Sequence, residues 1–306
     1  MDNLITNIRV GVSHEPPPRG PWSRVVIEST VRLTPAVTRE GRLLTTRIPG
    51  VRLNMPDCII PVYDGLVSTV SASTRGESAC LEILLEHDVP ASVRQEEGMP
   101  HRMEVRFDSG GVYSVLKGRT LAIDPGHGGR DKGGRGPVSL VEKDVVLQLA
   151  GELRRLCSNL GLSCFLTRDR DVAVPLESRV RRAVTRSANA IVSIHTGVER
   201  DRSIRGVRVG HANPAGEDLA RLVLLEMVKK LNLPDRGVSR VSLPAGEDPF
   251  ADLRIPAIVV EFATLTNPVD EGWVRSRTFM ERAALAILNG IKNYYWSAPE
   301  RSGRES

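Results

Sequence analysis

At 306 residues the chain has room for about two domains, and with 41% hydrophobic and 26% charged residues it is neither disordered nor fibrous. Aromatic residues make up only 4%, so its core must be built from Val, Leu, Ile and Ala. The net charge of +5 suits a polyanionic partner, an anionic cell-wall polymer among them. No zinc-finger spacing, aromatic-rich strand or unbroken basic run accompanies that charge, which argues against nucleic acid. Nothing approaches the roughly 18 apolar residues of a membrane span.

Residues 1–117 read as an all-β sandwich domain. Short β-prone runs cover 23–33, 43–48, 66–73, 80–85 and 103–107, and in the last of these Met103, Val105 and Phe107 alternate with charged residues. Pro16-Pro17-Pro18, Pro49-Gly50, Asp64-Gly65 and Gly110-Gly111 separate the runs, and residues 112–116 are a last strand or a linker. His14, His87 and His101 are expected at the surface. The first residues, Met1-Asp2-Asn3-Leu4-Ile5, lack the basic start and apolar core of a signal peptide. Cys58, Cys80, Cys157 and Cys164 have no metal-like spacing and read as buried free thiols, although Cys157 and Cys164 could approach each other.

From 118 to 297, β and α segments alternate, the signature of an α/β domain with a mainly parallel sheet flanked by helices. Strands are expected near 120–124, 163–167, 190–195, 206–210 and 257–261, and helices near 142–159, 176–188, 216–231 and 270–295, with a frayed tail over 298–306. Arg179, Arg181, Arg182 and Arg186 give the second helix a basic, solvated face. The first strand, Leu121-Ala122-Ile123, ends in Asp124-Pro125-Gly126-His127-Gly128-Gly129, which holds one imidazole in a glycine-rich turn at a strand mouth, where ligands collect in open α/β sheets. Glu142 opens an amphipathic helix, the apolar run 190–194 ends in His195, and the run 256–260 ends in Glu261. Two His and one carboxylate with an open fourth position form a catalytic zinc set, and a further carboxylate can take a proton from water and pass it to a leaving amine. Those four residues support zinc-dependent amide hydrolysis.

The ordered segments Ile123-Asp124-Pro125-Gly126-His127-Gly128-Gly129, Val141-Glu142-Lys143-Asp144, Leu166-Thr167-Arg168-Asp169, Val192-Ser193-Ile194-His195 and Val259-Val260-Glu261 with Thr266-Asn267-Pro268 resemble the zinc-dependent N-acetylmuramoyl-L-alanine amidases of bacterial cell walls. The resemblance implies that His127, Glu142 and His195 bind one zinc ion, that Glu261 is the catalytic base, and that the scissile bond joins the muramic acid lactyl group to L-alanine of the peptidoglycan stem peptide. The sequence departs from the family at Thr196-Gly197, where Ala and then Asn or Asp are usual, and at Ala263-Thr264, where Gly-Phe is usual; both are rim positions. Only a short polar stretch, 197–203, follows the second His, so the helical plug of some members is not expected. The N-terminal domain is similar to the AMIN domain, which implies targeting to the cell envelope, outside the cytoplasm, with peptidoglycan as the partner; the protein is expected to be a monomer. A zinc peptidase acting on stem-peptide bonds and a non-catalytic wall-binding module are the alternatives.

Overall fold

The computed structural model describes residues 2–14, 21–241, 249–250 and 253–297, and the chain divides into two compact units, Met1–Ser114 and Val115–Ser306. The expected turn at Pro16-Pro17-Pro18 and the tail 298–306 lie outside the described residues.

The first unit contains strands β1 (Leu4–His14), β2 (Pro21–Ser29), β3 (Ala36–Glu40), β4 (Leu43–Pro49), β5 (Arg52–Leu53), β6 (Cys58–Pro61), β7 (Val67–Arg75), β8 (Ser78–Leu85), β9 (Ala91–Glu96) and β10 (His101–Asp108). They form two five-stranded sheets, ordered β5-β1-β2-β10-β9 and β3-β4-β8-β7-β6. The period-2 pattern decides what lies between them. Val25, Ile27, Met103, Val105 and Phe107 from one sheet share a core with Leu44, Val70, Leu81 and Ile83 from the other. The edge strands β3 and β9 are exposed along their whole length, which is why no apolar alternation marked them.

Two expectations need correction here. Residues 112–116 are neither strand nor linker, but a helical turn, α1 (Gly110–Tyr113), running into a 3₁₀ turn, Ser114–Leu116. Asp108 accepts the Gly110 N–H (2.8 Å), Ser109 carbonyl oxygen accepts the Tyr113 N–H (3.1 Å), and Val112 turns into the core. His87 is buried rather than superficial.

The second unit contains β11 (Thr120–Pro125), α2 (Glu142–Asn159), β12 (Ser163–Leu166), α3 (Leu176–Thr185), β13 (Ala190–Gly197), β14 (Val207–His211), α4 (Glu217–Leu231), β15 (Asp235–Arg240), β16 (Ala257–Thr264), α5 (Pro268–Val274) and α6 (Arg277–Trp296). Its six strands are ordered β12-β11-β13-β16-β14-β15. The sheet is mixed. β12, β11, β13 and β16 run parallel, whereas β14 pairs antiparallel with β16 and carries β15 parallel to itself. The reversal follows from the connection: residues 198–206 join β13 to β14 without a helix, too short for a parallel crossover.

β11–α2–β12 and β12–α3–β13 step in opposite directions along the sheet, so right-handed crossovers put α2 and α3 on opposite faces. Val180 and Ala183 of α3 pack on Ala122, Ile191 and Ala257, which are in register across three neighbouring strands. α6 packs against both α2 and α4. The helix expected over 270–295 is two helices, because Ser276 breaks it and caps the second with its hydroxyl on the Phe279 N–H (3.4 Å). β15 was not foreseen; its sequence, Asp235-Arg236-Gly237-Val238-Ser239-Arg240, is that of a polar edge strand. Cys157 is buried and Cys164 half-buried, both as free thiols, and Cys164 Sγ donates to the Arg154 carbonyl oxygen (3.6 Å).

Candidate metal centre

The turn after β11 is held by groups that converge on its carbonyls. Buried Asp124 accepts hydrogen bonds from Ser193 Oγ (2.7 Å), Thr167 Oγ1 and Arg179 Nη1 (3.1 Å), tying β11 to β13 and α3. Arg179 also donates to the carbonyls of Pro125 (2.6 Å) and His127 (2.7 Å). Arg168 donates to Pro125 (3.0 Å), Gly126 (2.7 Å) and Lys143 (2.9 Å). At 8% and 2% exposure these arginines are structural cations, so Arg179 does not belong to the solvated face expected of its helix. They hold His127 at φ 59°, a left-handed conformation that costs a non-glycine residue about 1–2 kcal/mol.

Glu142 is the first residue of α2 and is 2% exposed. Its Oε2 accepts the Gly134 N–H (2.6 Å) and its Oε1 the Thr196 N–H (2.8 Å). The remaining directions face two imidazoles: His127 Nε2 is 3.2 Å from Oε2, and His195 Nδ1 is 3.3 Å from Oε1. Burial alone would raise the Glu142 pKa, but the two histidines and the two N–H groups outweigh it and hold the carboxyl far below the usual range. Glu142 in turn raises His127 against the opposing effect of burial. One nitrogen or oxygen from each of His127, Glu142 and His195 lies within 4.8 Å of the others, a spacing that one small cation would span. Asp131 Oδ2 lies 2.9 Å from His127 Nδ1, which places the ring proton there and leaves Nε2 as the donor to a metal. Glycines clear the space. A Cβ at Gly126 would meet His195 Cε1 at 2.2 Å, and one at Gly133 would meet His127 Cδ2 at 2.5 Å and Glu142 Oε2 at 2.7 Å.

Glu261 stands one strand further along. It is the register partner of His195 on one side and of Arg208 on the other. It lies within β16 rather than at the strand end expected of it. Arg208 grips it with two hydrogen bonds, Nε to Oε2 (3.0 Å) and Nη2 to Oε1 (2.6 Å), and this pairing raises the Arg208 pKa. His127, Glu142, His195, Glu261 and Arg208 all line one cavity of about 850 Å³, whose apolar side includes Val174, Leu176, Val198 and Phe250. That volume suits a ligand of several residues or sugars.

The sequence named the three donors and the neighbouring carboxylate but missed Asp131, Arg168, Arg179 and Arg208. Asp131 carried a signal as an acid in the same glycine-rich turn, and Arg168 stood in the segment Leu166-Thr167-Arg168-Asp169 that carries the family resemblance, without a role being read from it. The donor set could hold one metal ion, at the mouth of an open α/β sheet. Residues 121–293 match the family model of N-acetylmuramoyl-L-alanine amidases, more than half of the chain, which therefore belongs to that family.

The "Probable cell wall amidase LytH" of Staphylococcus epidermidis is 31% identical over 202 residues, covering 65% of this chain and 66% of that protein. N-acetylmuramoyl-L-alanine amidase AmiC of Neisseria meningitidis serogroup B is 31% identical over 216 residues, covering 57% and 52%. The chain thus spans about half to two thirds of the length of these curated relatives. Among solved structures, amidase AmiC2 of Nostoc punctiforme is 31% identical with a TM-score of 0.53, covering 57% of this chain and 96% of that one. An N-acetylmuramoyl-L-alanine amidase from Clostridium difficile 630 is 29% identical with a TM-score of 0.55, covering 59% and 98%.

Proposed function

We propose that this chain is a zinc-dependent N-acetylmuramoyl-L-alanine amidase that hydrolyses the amide between the muramic acid lactyl group and L-alanine of the stem peptide. The observation that carries the reading is the convergence of His127, Glu142 and His195 donor atoms within 4.8 Å of one another in a cavity that Glu261 also lines. Two imidazoles and a buried carboxylate, cleared by glycines and backed by Asp131, fit one zinc ion and leave a coordination position open. Zinc, when bound, supplies the Lewis acidity that polarises the scissile carbonyl and makes water acidic at neutral pH. The chain does the rest. Asp131 holds the His127 tautomer, the Gly134 and Thr196 N–H groups fix the Glu142 carboxylate, and Glu261 takes the proton from the attacking water and returns it to the departing amine.

The two-sheet unit is read as an AMIN-like targeting domain, 1–117, ahead of a catalytic domain, 118–297, in a monomeric protein of the cell envelope acting on peptidoglycan. Its basic charge fits an anionic wall polymer as a secondary partner. No helix among the described residues is long and apolar enough to cross a membrane.

Digestion of purified peptidoglycan tests the reading. An amidase releases whole stem peptides with free L-alanine amino groups and leaves intact lactyl groups on the glycan. New termini inside the stem would instead make it a peptidase, and binding without products a wall-binding module. About one zinc per chain and reversible loss of hydrolysis on chelation are expected, and full activity in metal-free protein would overturn the metal assignment.

A further inference from the structure

Beyond Glu261, two arginines follow in succession across the sheet. Arg208 on β14 holds both Glu261 oxygens, at 2.6 and 3.0 Å. Arg236 on β15 brings Nη1 to 3.9 Å from Glu261 Oε2, donates to Thr264 Oγ1 (3.2 Å) and pairs with Glu199. The backbone leaves room for this arrangement, since a Cβ at residue 197 would stand 2.9 Å from Arg236 Nη1 and 3.3 Å from Glu261 Oε2. Gly197 and Thr264, two of the positions at which the sequence departs from the amidase pattern, thus both border Arg236.

Both Glu261 oxygens are taken up by one guanidinium, so a water molecule must compete with Arg208 for them. The substrate-free protein therefore keeps its base engaged. Arg208, in contrast, is accessible: its side chain is 39% exposed and lines the cavity. The Glu261 carboxylate also demonstrates what the guanidinium fork fits, a planar anion received on two parallel N–H groups.

We propose that Arg208 is a substrate-binding residue that receives a free carboxylate of the peptide and, in exchanging one carboxylate for the other, releases Glu261 to act on water. Arg236 stays with Glu199 and Thr264 and keeps the region positive during the exchange. The reach is set by the sheet. His195 and Arg208 are two strands apart, about 10 Å at the spacing of hydrogen-bonded strands. An extended backbone covers that in about three residues, or in two when the carboxylate is carried on the second residue's side chain. The ligand is thus a peptide amide with a free carboxylate on the second residue past the scissile bond. The proposal rests on reading the cavity as an amide-hydrolysing centre.

The test uses the full zinc-loaded chain and two soluble muropeptides that differ only in the second peptide residue, a free carboxylate in one and its carboxamide in the other. A charge-assisted pair predicts that kcat/KM favours the carboxylate by roughly 10- to 100-fold. Arg208→Gln should bring the two substrates within about twofold of each other, and Arg208→Lys, which keeps the charge but not the fork, should fall between. Calorimetry on metal-free protein with the corresponding free dipeptides gives a second readout, with the carboxylate form binding more tightly and the difference lost in Arg208→Gln. Indifference of the wild-type protein to amidation would overturn the proposal, without recourse to any variant. So would an Arg208→Gln variant that loses turnover equally on both substrates and keeps their ratio, which would make Arg208 a positioning residue for Glu261. Dipeptide discrimination without hydrolysis of either muropeptide would support the carboxylate site and overturn the amidase reading instead.

Discussion

At the scale of single residues, the two glutamates of the cavity are separated by what surrounds them. Glu142 is buried between two imidazoles and two N–H donors, while Glu261 faces a guanidinium in the half-open part of the cavity. Glu261→Gln is expected to keep the zinc and to lose about 10²–10⁴-fold in turnover, since the amide has the shape of the base but cannot accept its proton. Glu142→Gln should lose metal first and activity as a consequence. Zinc content of both variants decides the assignment, and zinc lost from the Glu261 variant but kept by the Glu142 variant would exchange their roles. Asp131 touches no metal position and acts through the His127 ring. Asp131→Asn should weaken zinc binding by roughly 10–100-fold, as competition with a chromophoric chelator would measure, with turnover at saturating zinc much less affected.

At the scale of elements, the loop between β11 and α2 is the part that a helix-and-strand reading leaves blank, and α5 fastens it from a distance. Glu271, fully buried in the first turn of α5, accepts the N–H groups of Val138 (2.8 Å), Ser139 (2.9 Å) and Leu140 (2.9 Å) and pairs with Arg275 (3.0 Å). Burial disfavours its charge, but these donors outweigh that and hold its pKa below the ordinary value. A carboxyl depressed on folding contributes stability that is complete above its unfolded value of about 4.3 and is lost as pH falls through the folded pKa. Glu271→Gln should therefore cost about 1–3 kcal/mol at neutral pH, with the gap to wild type closing in acid. Melting curves from neutral pH downward check this, and equal melting temperatures at neutral pH would refute it.

The elements that were legible are those in which apolar residues carry the pattern: β11, β13 and β16 as uninterrupted runs, and α2 by its three-and-four spacing. The invisible ones are polar. The edge strand β15 has no apolar alternation, and the buried arginines Arg168 and Arg179 look like surface charges until the carbonyls they serve are brought together by the fold.

At the scale of the whole molecule, the composition shift near Gly110-Gly111 was legible because strands with alternating faces give way to runs apolar on both faces. The reversal of β14 and β15 was not, since it depends on the length of one connection rather than on any pattern within the strands. Each unit owns a core. Val25, Ile48, Leu81 and Phe107 belong to a cluster that lies wholly before Ser114, whereas Ala122, Val180, Ile191 and Ala257 belong to one wholly after it, and the residues His127, Glu142, His195 and Glu261 also lie in the second unit. Two closed cores predict two independently folding parts. A fragment beginning at Val115 keeps the buried Leu116 and the carbonyl of Val115 that accepts from Arg119 Nε (2.8 Å), which a start at residue 118 would remove. It should bind zinc and hydrolyse soluble muropeptides nearly as well as the full chain, because no site residue is lost. Its sedimentation with insoluble wall should fall, and the fragment 1–114 should sediment alone if the two-sheet unit is the targeting part. Loss of soluble-substrate hydrolysis in a fragment that is folded by circular dichroism would show that the first unit takes part in catalysis, and equal wall binding with and without it would remove its targeting role.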